Sequence, residues 1–173
     1  MSKKILQKEE AVLRKIAEEV PIAQIKTLKI KKILKEMSGA LKSQGDGVAI
    51  AAPQIGYSLR IFVVAGKIFD KDFEQNKENL LTDIKDVVFI NPKISKLSRD
   101  KEWLPEGCLS VRPLYGKTWR SKKATVTAYD ENGKKFMRGA SGLLAQIFQH
   151  ETDHLNGILF IDHAKEIKAE ELK

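Results

Sequence analysis

The chain contains a single cysteine, Cys108, among its 173 residues. One cysteine cannot form an intramolecular disulfide, so the sequence excludes a secreted scaffold that depends on disulfides. A lone thiol persists best in a reducing compartment, and we therefore expect a cytoplasmic protein. No apolar run approaches the roughly eighteen uncharged residues of a membrane span, and the first residues are charged rather than apolar. We expect no membrane partner, and Cys108 needs another explanation.

Length and composition indicate one domain that covers residues 1–173, because 42% apolar residues suffice for one substantial core. The net charge of +8 is concentrated near the N-terminus, where residues 1–44 hold eleven Lys or Arg against five Glu, a surplus of six. The favoured interpretation is a solvated helix face. The alternative is attraction to an acidic partner such as ribosomal RNA. DNA is not an expected partner.

Helical periodicity predicts two amphipathic helices at the start of the chain and one near its end. The first two cover residues 9–19 and 22–43. In the second, lysines separate apolar residues at helical spacing, namely Ile22, Ile25, Ile30, Ile33, Leu34, Met37 and Leu41. The last helix begins after Gly142 and continues to Leu155, because Asn156 and Gly157 form a good helix stop.

Strand patterns occupy the region between these helices. Apolar or alternating segments predict strands at residues 48–52, 59–65, 87–90, 124–128 and 134–138, with a surface loop over about 67–85. The last two strands are predicted to form a hairpin around Asn132 and Gly133. Helices first, then several strands, then a late helix predict an α+β fold.

The pattern H-E-x-x-H extends from His150 to His154 inside the last predicted helix. Residues four apart lie above one another on a helix, so both imidazoles can contact one ion while Glu151 lies beside it. A single buried histidine is usually a hydrogen-bonded core residue. Here the pattern uses two of the three histidines of the chain, which favours a site for metal-assisted hydrolysis.

Two histidines are too few for a catalytic metal site, which usually has three protein ligands and one open position for water. A later glutamate, such as Glu166, Glu170 or Glu171, would make a metallopeptidase of the H-E-x-x-H type. Cys108 would make a different class of site, although an isolated cysteine is most often a small buried hydrophobe. At this point both choices of third ligand stay open.

Three separated segments resemble the signature motifs of the peptide deformylases, in the same order. They are GVAIAAPQ at residues 47–54, EGCLS at 106–110 and QHETDH at 149–154. The resemblance covers the chain apart from its first and last few residues, and three motifs together are far more specific than any one. It implies removal of the N-terminal formyl group from nascent formyl-methionyl polypeptides. It also implies antiparallel sheets packed around a central helix that carries the two histidines.

The resemblance assigns one divalent transition metal ion to Cys108, His150 and His154. Fe(II) is the family expectation, and Zn(II), Ni(II) or Co(II) are the alternatives expected in a purified sample. A thiolate with two neutral imidazoles suits such ions and matches Mg(II) or Ca(II) poorly. A bound ion lowers the pKa of its water and polarises the formyl oxygen.

The resemblance also implies the catalytic residues. Glu151 takes the proton of the attacking water and delivers it to the departing amine. The Gln54 side chain and the Leu109 backbone N–H stabilise the negative charge that develops on the formyl oxygen. Losing one such donor typically costs about 3 to 4 kcal/mol of transition-state stabilisation.

Substrate binding is expected at two of the motifs. The Gly47 region resembles the family's edge strand, which pairs with the substrate backbone, and Gly107 of the second motif is a further expected contact. The chain departs from the family pattern at Ala49, which stands where glycine is usual. A methyl group there could narrow the cleft, so the departure concerns substrate affinity more than chemistry.

Leu143, Gln146 and Ile147 correspond to family positions around the pocket for the first side chain, normally methionine. Gln146 is polar, so we expect this pocket to be only partly apolar. The family resemblance suggests that Glu106 and Arg120 form an ion pair that braces the second motif, and the alternative of two ordinary surface charges stays equally open.

A third hypothesis belongs to a different functional class, namely a non-catalytic basic module that binds ribosomes or RNA through the N-terminal helices. The position of Glu151 between two histidines argues against it, because a binding module has no need of that glutamate. The expected partner is therefore an N-formyl-Met peptide, with transient ribosome association as an addition.

Overall fold

The computed structural model describes residues 2–70, 73 and 84–170. Two antiparallel sheets and two α-helices form the fold. The larger sheet has the strand order β1-β2-β3-β6-β7 and contains β1 (Ala49–Ala51), β2 (Ile61–Val64), β3 (Val87–Leu97), β6 (Lys123–Tyr129) and β7 (Lys135–Ser141). The smaller sheet has the order β4-β5-β8, from β4 (Lys101–Gly107), β5 (Leu114–Ser121) and β8 (Lys165–Ala169). The helices are α1 (Leu28–Lys42) and α2 (Gly142–Leu155).

Alternate residues of the larger sheet face the two helices, as the two-residue period of a strand requires. Ile50, Ile61 and Val63 belong to a buried cluster with α1. Phe62 and Phe89 stack at 4.7 Å between ring centroids and belong to the cluster of α2. The sheet is therefore covered on both faces, which explains why β1 and β2 are apolar at every position.

Helix α2 packs on this sheet through Phe148, whose ring centroid lies 5.3 Å from that of Phe89. Phe148 is fully buried, as are Ala145 and Leu155 on the same helix. This packing fixes the rotation of α2 about its axis, and with it the direction of the polar residues near its C-terminal end. The α+β class with antiparallel sheets is confirmed.

The prediction of an α-helix over residues 9–19 is wrong. The structure has one turn of 3₁₀-helix there, Ala11–Arg14, and Ile16 is exposed. The following backbone bonds to distant segments instead of to itself: the Ala17 N–H donates to the Leu155 carbonyl and the Glu18 N–H to the Ser58 carbonyl, each at 2.9 Å. Because these tertiary bonds use the donors that a helix would need, helical periodicity alone is misleading here.

The second predicted helix starts later than its pattern indicates. A short 3₁₀-helix, Ile22–Gln24, precedes α1, and Ile22 is exposed. Helix α1 begins after Thr27, whose hydroxyl accepts from the Ile30 N–H at 3.4 Å. Such an N-cap satisfies a backbone donor that the first turn leaves unpaired. The N-terminal region thus contains one amphipathic α-helix rather than two.

The predicted strands at 48–52, 59–65, 124–128 and 134–138 correspond to β1, β2, β6 and β7. The strand predicted at 87–90 is longer, because β3 continues through Asn91 and Pro92 to Leu97. Strands β4, β5 and β8 were not predicted. The expected loop over 67–85 lies largely outside the described residues, and its described start is a 3₁₀-helix, Gly66–Phe69.

Among the described residues, no helix is both long and apolar enough to cross a membrane.

Candidate metal centre and pocket

Helix α2 carries the three residues of the H-E-x-x-H pattern that can do chemistry. His150 and His154 lie one helical turn apart, with 5.0 Å between their ring centroids. The apolar side of α2 faces the larger sheet, so the histidines face the smaller sheet and the turn that follows β4. The periodicity that predicted this helix therefore also predicted the common side of the two imidazoles.

Cys108 stands immediately after β4, in the turn that leads to β5. Its Sγ lies 3.2 Å from His154 Nε2, and the Ser110 N–H points at the same sulfur from 3.4 Å. Candidate ligand atoms of Cys108, His150 and His154 all lie within 4.8 Å of one another. The structure thus brings together three residues that are distant in sequence.

Backbone and side-chain hydrogen bonds hold this turn in place. The Val111 N–H donates to the Cys108 carbonyl at 3.1 Å, and Gln7 Nε2 donates to the Leu109 carbonyl at 3.0 Å. Gln7 belongs to the N-terminal segment, so the start of the chain also positions the sulfur. Sequence reasoning missed Gln7, and no motif includes it.

Glu106 contacts several of the residues that surround the site. Its Oε2 lies 2.9 Å from His150 Nδ1 and 2.6 Å from an Arg120 nitrogen, and the Thr118 hydroxyl donates to its Oε1 at 3.1 Å. The expected ion pair with Arg120 is present, and both side chains are buried. Burial alone would raise the pKa of Glu106, but His150 and Arg120 outweigh it and hold that pKa far below its ordinary value.

Two further residues belong to this network. Their contacts with Glu106 and Arg120 were not predicted from the sequence. Asp153 Oδ2 lies 2.8 Å from Arg120 NH1, and Gln146 Nε2 donates to Glu106 Oε1 at 3.2 Å and to the Pro105 carbonyl at 2.9 Å. Asp153 stands inside the H-E-x-x-H pattern, so its position could have signalled a role in orienting the site. The network joins β4, β5 and α2.

The two imidazoles have opposite electrostatic environments. Burial lowers the pKa of His150, yet its contacts with Cys108 and Glu106 outweigh burial and raise that pKa well above its ordinary value. Burial and the neighbouring His150 charge lower the pKa of His154 well below its ordinary value. Burial thus favours the neutral form of His154. Glu106 contacts Nδ1 of His150, which leaves Nε2 as the nitrogen available to a ligand.

Glu151 is buried on α2 next to His150, and it lines the same pocket as Cys108. Its Oε2 has no hydrogen-bond partner in the part of the chain that the structure describes. Burial raises the pKa of Glu151 to about 7, although the His150 charge acts in the opposite direction. A carboxyl group with such a pKa can both accept and return a proton near neutral pH.

Gln54 is buried in the 3₁₀-helix that follows β1. The Ala51 N–H donates to Gln54 Oε1 at 2.8 Å, which directs the amide nitrogen towards the centre. That nitrogen donates to Ser110 Oγ at 3.0 Å and lies 3.8 Å from Cys108 Sγ. The amide is therefore fixed with its donor side towards the sulfur.

One pocket of about 310 Å³ opens beside these residues. All six residues predicted to bind substrate line it, namely Gly47, Ala49, Gly107, Leu143, Gln146 and Ile147. Its wall also contains Gln54, Leu109, Cys108, His150 and Glu151. His154 is almost fully buried behind them. The structure thus gathers the predicted site residues at one cavity.

The rim of the pocket contains an ion pair that sequence reasoning did not find. Arg112 NH2 lies 2.7 Å and 2.9 Å from the two carboxylate oxygens of Asp46, and both residues line the pocket. The hydrogen bond with Arg112 is the main cause that lowers the pKa of Asp46. No sequence pattern connects two residues this far apart.

The donor set fits a divalent transition metal. One sulfur and two imidazole nitrogens are the soft and intermediate ligands that such ions prefer, and Glu106 orients the His150 ring from its far side. Glu166 and Glu170 do not join this group among the described residues, and Glu171 lies outside them. Glu166 instead pairs with Lys117 at 3.1 Å.

Comparison with known proteins shows the family of the chain. The family model described as Polypeptide deformylase matches residues 2–170. Peptide deformylase 2 of Clostridium acetobutylicum is 39% identical over 154 residues, which cover 89% of each chain. The peptide deformylase of Desulforudis audaxviator is 38% identical over 163 residues, which cover 94% of each chain.

Solved structures show the same similarity. The peptide deformylase from Thermotoga maritima is 32% identical with a TM-score of 0.79, covering 95% of this chain and 99% of that one. A Met-Ala-Ser-bound peptide deformylase from Acinetobacter baumannii is 29% identical with a TM-score of 0.80, covering 94% of this chain and 99% of that one. The chain therefore belongs to the polypeptide deformylase family, whose members are enzymes.

Proposed function

We propose that the chain is a metal-dependent hydrolase that removes the N-terminal formyl group from formyl-methionyl polypeptides and releases formate. One observation carries the proposal: Cys108, His150 and His154 bring their ligand atoms within 4.8 Å of one another. Glu151 lies beside this group in the wall of the same pocket. Family membership supports the identity of the reaction, and the donor set supports the use of a metal.

Cys108 Sγ and one nitrogen from each of His150 and His154 would hold the ion, which we expect to be Fe(II), with Zn(II), Ni(II) or Co(II) as substitutes. The bound ion would lower the pKa of the attacking water and polarise the formyl carbonyl. Glu106 contacts His150 Nδ1 at 2.9 Å. This contact keeps the ring in the orientation that metal binding requires. The protein thus supplies a rigid set of donors.

Glu151 is the proposed proton carrier. Its buried Oε2, which has no hydrogen-bond partner among the described residues, is available to take a proton from the attacking water. Because burial raises the pKa of this carboxyl group to about 7, returning the proton to the departing amine is not strongly unfavourable. The same carboxyl group therefore serves both steps.

Gln54 and Leu109 are the proposed donors to the formyl oxygen. The Gln54 amide is held by the Ala51 N–H, so its Nε2 is oriented before any substrate binds. Leu109 follows Cys108, and its carbonyl is held by Gln7. Donors that are oriented in advance stabilise developing negative charge without reorganisation during the reaction.

The substrate backbone is proposed to pair with β1. This strand is at the end of the larger sheet and, among the described residues, pairs with β2 alone, so its other edge is available beside the pocket. An added peptide strand gains affinity through main-chain hydrogen bonds, which suits an enzyme acting on many sequences. The methionine side chain would then lie against Leu143 and Ile147, with Gln146 at the polar side of that subsite.

A cytoplasmic setting with transient ribosome association completes the proposal. The surplus of positive charge in residues 1–44 supports attraction to an acidic partner, and a lone cysteine ligand needs a reducing environment.

Formate release from formyl-Met-Ala-Ser tests the proposal directly. Chelator-treated protein should be inactive, and anaerobic addition of Fe(II) or Ni(II) should restore formate production. Met-Ala-Ser without the formyl group is the matched control and should stay intact. Cleavage of its peptide bonds would instead support a metallopeptidase, and absence of any formate after metal loading would contradict the proposal.

A further inference from the structure

The outer face of the smaller sheet carries three exposed aromatic side chains. Trp103 on β4 and Trp119 on β5 stand directly opposite each other, with 5.3 Å between ring centroids. They are 41% and 48% exposed, and Tyr115 on the same face is 42% exposed. None of the three belongs to the buried clusters of the described residues. The core therefore does not account for them.

Strand alternation explains why these rings face outwards. Glu106, Thr118 and Arg120 take the inward positions of β4 and β5 because they form the buried network behind the metal ligands. Trp103 and Trp119 occupy positions of the opposite parity and so point to solvent. A cross-strand pair of indoles stabilises a sheet modestly, but it does not account for a third exposed ring, Tyr115, on the same face. The three exposed rings together point to a binding role.

Positive charge accompanies the aromatic rings. Lys165 Nζ lies 4.6 Å from the Trp103 ring centroid, and Lys168 pairs in register with Tyr115. Lys117 is on the same face and pairs with Glu166. We call the surface formed by Trp103, Tyr115, Trp119, Lys117, Lys165 and Lys168 the aromatic face.

We propose that the aromatic face binds single-stranded RNA. Unpaired bases would stack on the two indoles while the lysines contact the phosphates, which is the combination that single-strand binding surfaces use. Stacking of a base on an exposed ring is generally stronger than an exposed cation–π contact, so Lys165 can leave Trp103 for a phosphate. Because Tyr115 also lines the pocket, the bound strand would lie beside the substrate entrance.

Charge favours this occupant over a second copy of the chain, because two such faces in contact would bring their lysines together. The aromatic rings distinguish the aromatic face from helix α1, which is also positively charged. That helix exposes Lys31 and Lys35 but has no aromatic residue. Helix α1 can therefore attract phosphates, whereas the aromatic face can hold bases as well.

Tryptophan fluorescence tests the proposal, because Trp103 and Trp119 are the only two tryptophans of the chain. Titration of the metal-loaded protein with a short oligouridine at low salt should quench the emission saturably, and added salt should weaken the binding. A double-stranded RNA of the same length and a polyphosphate should quench much less, because neither offers unpaired bases.

Two charge-reversal variants form a matched pair. Lys165→Glu with Lys168→Glu should weaken oligouridine binding at least about tenfold, whereas Lys31→Glu with Lys35→Glu should change it less than about twofold. Both should release formate from formyl-Met-Ala-Ser at the wild-type rate, which shows that they are folded. Trp119→Leu should weaken binding without changing its salt dependence.

Several outcomes would overturn the proposal. These are an unchanged emission with oligouridine, equal quenching by polyphosphate or by anionic lipid vesicles, and equal weakening by the two double variants. Quenching that depends on protein concentration without RNA would show that a second copy covers the aromatic face instead.

Discussion

At the scale of single residues, Glu151 has the least ordinary environment in the site. It is 4% exposed, and one carboxylate oxygen lacks a hydrogen-bond partner in the described part of the chain. An unpaired buried carboxylate oxygen costs stability, so its presence calls for a chemical use. Proton transfer is such a use.

Glu151→Gln keeps the size of the side chain and removes its ability to carry a proton. Formate release should fall by about two to four orders of magnitude, since general acid–base groups typically contribute that much. Metal content, measured by elemental analysis, should not change because Glu151 is not among the ligands.

Glu166→Gln is the control for that variant. Glu166 is exposed on β8, and the deformylase mechanism gives it no part in metal binding. Formate release and metal content should both stay at wild-type levels. Loss of metal from this control would instead favour the metallopeptidase arrangement, with Glu166 as third ligand.

The family usually has glycine at the position of Ala49, so the substitution Ala49→Gly tests whether the methyl group narrows the cleft. Ala49 lines the pocket but is only 5% exposed, because its side chain belongs to the buried cluster on the α2 side of the sheet. Ala49→Gly should leave KM within about twofold and lower the free energy of unfolding by about 1 to 2 kcal/mol, from lost burial and added backbone freedom. Initial rates and urea denaturation measure both. A several-fold lower KM would show that the methyl group does narrow the cleft.

Gly47→Ala is the contrasting substitution at the same edge. A Cβ at Gly47 would lie 2.9 Å from Leu41 Cδ1 and 3.3 Å from the Gln44 carbonyl oxygen. The Leu41 side chain can rotate away, but the Gln44 backbone must give by a few tenths of an ångström, and the pocket wall shifts with it. KM should therefore rise while metal content stays constant.

Sequence reasoning worked well for residues inside motifs and poorly for those that act through tertiary contacts. The three ligands and Glu151 were identifiable because helical spacing and family motifs both constrain them. Gln7 and the Asp46–Arg112 pair were not, because their partners are remote in the chain. Hydrogen bonds between distant segments leave no periodic signal.

At the scale of elements, Glu106 connects β4 to β5 and α2. Its carboxylate contacts Arg120, Thr118 and His150, and all of these contacts are shorter than 3.2 Å. The strand, its neighbour and the helix therefore share one buried network. Stability and metal binding should respond together when that network is cut.

Glu106→Gln tests this coupling. Metal affinity should fall by about 10- to 100-fold because the His150 ring loses its orienting partner. The free energy of unfolding of the metal-free protein should fall by about 3 kcal/mol, because Arg120 keeps Asp153 but loses its main buried counterion. Competition with a chelator and urea denaturation give the two values.

The exposed Lys117–Glu166 pair supplies the comparison, since it also joins two strands of the smaller sheet. Lys117→Met should cost less than about 1 kcal/mol, as expected for a pair open to solvent. Equal effects of the two substitutions would contradict the view that Glu106 organises the site.

Elements were predictable where the sequence carries a clear local signal. Helix α2 has a helical period and β6 alternates, whereas β1 and β2 are continuous apolar runs and β7 follows a hairpin turn. Strands β4 and β5 escaped prediction because their inward positions hold charged and polar residues of the buried network, while tryptophans face outwards. Function thus reverses the usual apolar-inside pattern in these two strands.

At the scale of the whole molecule, the site depends on the convergence of the two sheets. Cys108 and His154 are 46 residues apart in the chain, yet their side chains meet at 3.2 Å. The larger sheet positions α2, and the smaller sheet positions the turn that carries the sulfur. Neither part contains a complete ligand set.

The absorption spectrum of the Co(II)-loaded protein tests this convergence most directly. A thiolate bound to Co(II) produces an intense near-ultraviolet charge-transfer band that imidazole and carboxylate ligands do not produce. Wild-type protein should show this band, and Cys108→Ser should lack it and bind Co(II) more weakly. A wild-type spectrum without the band, or a Cys108→Ser variant with unchanged spectrum and affinity, would contradict a centre built from Cys108, His150 and His154.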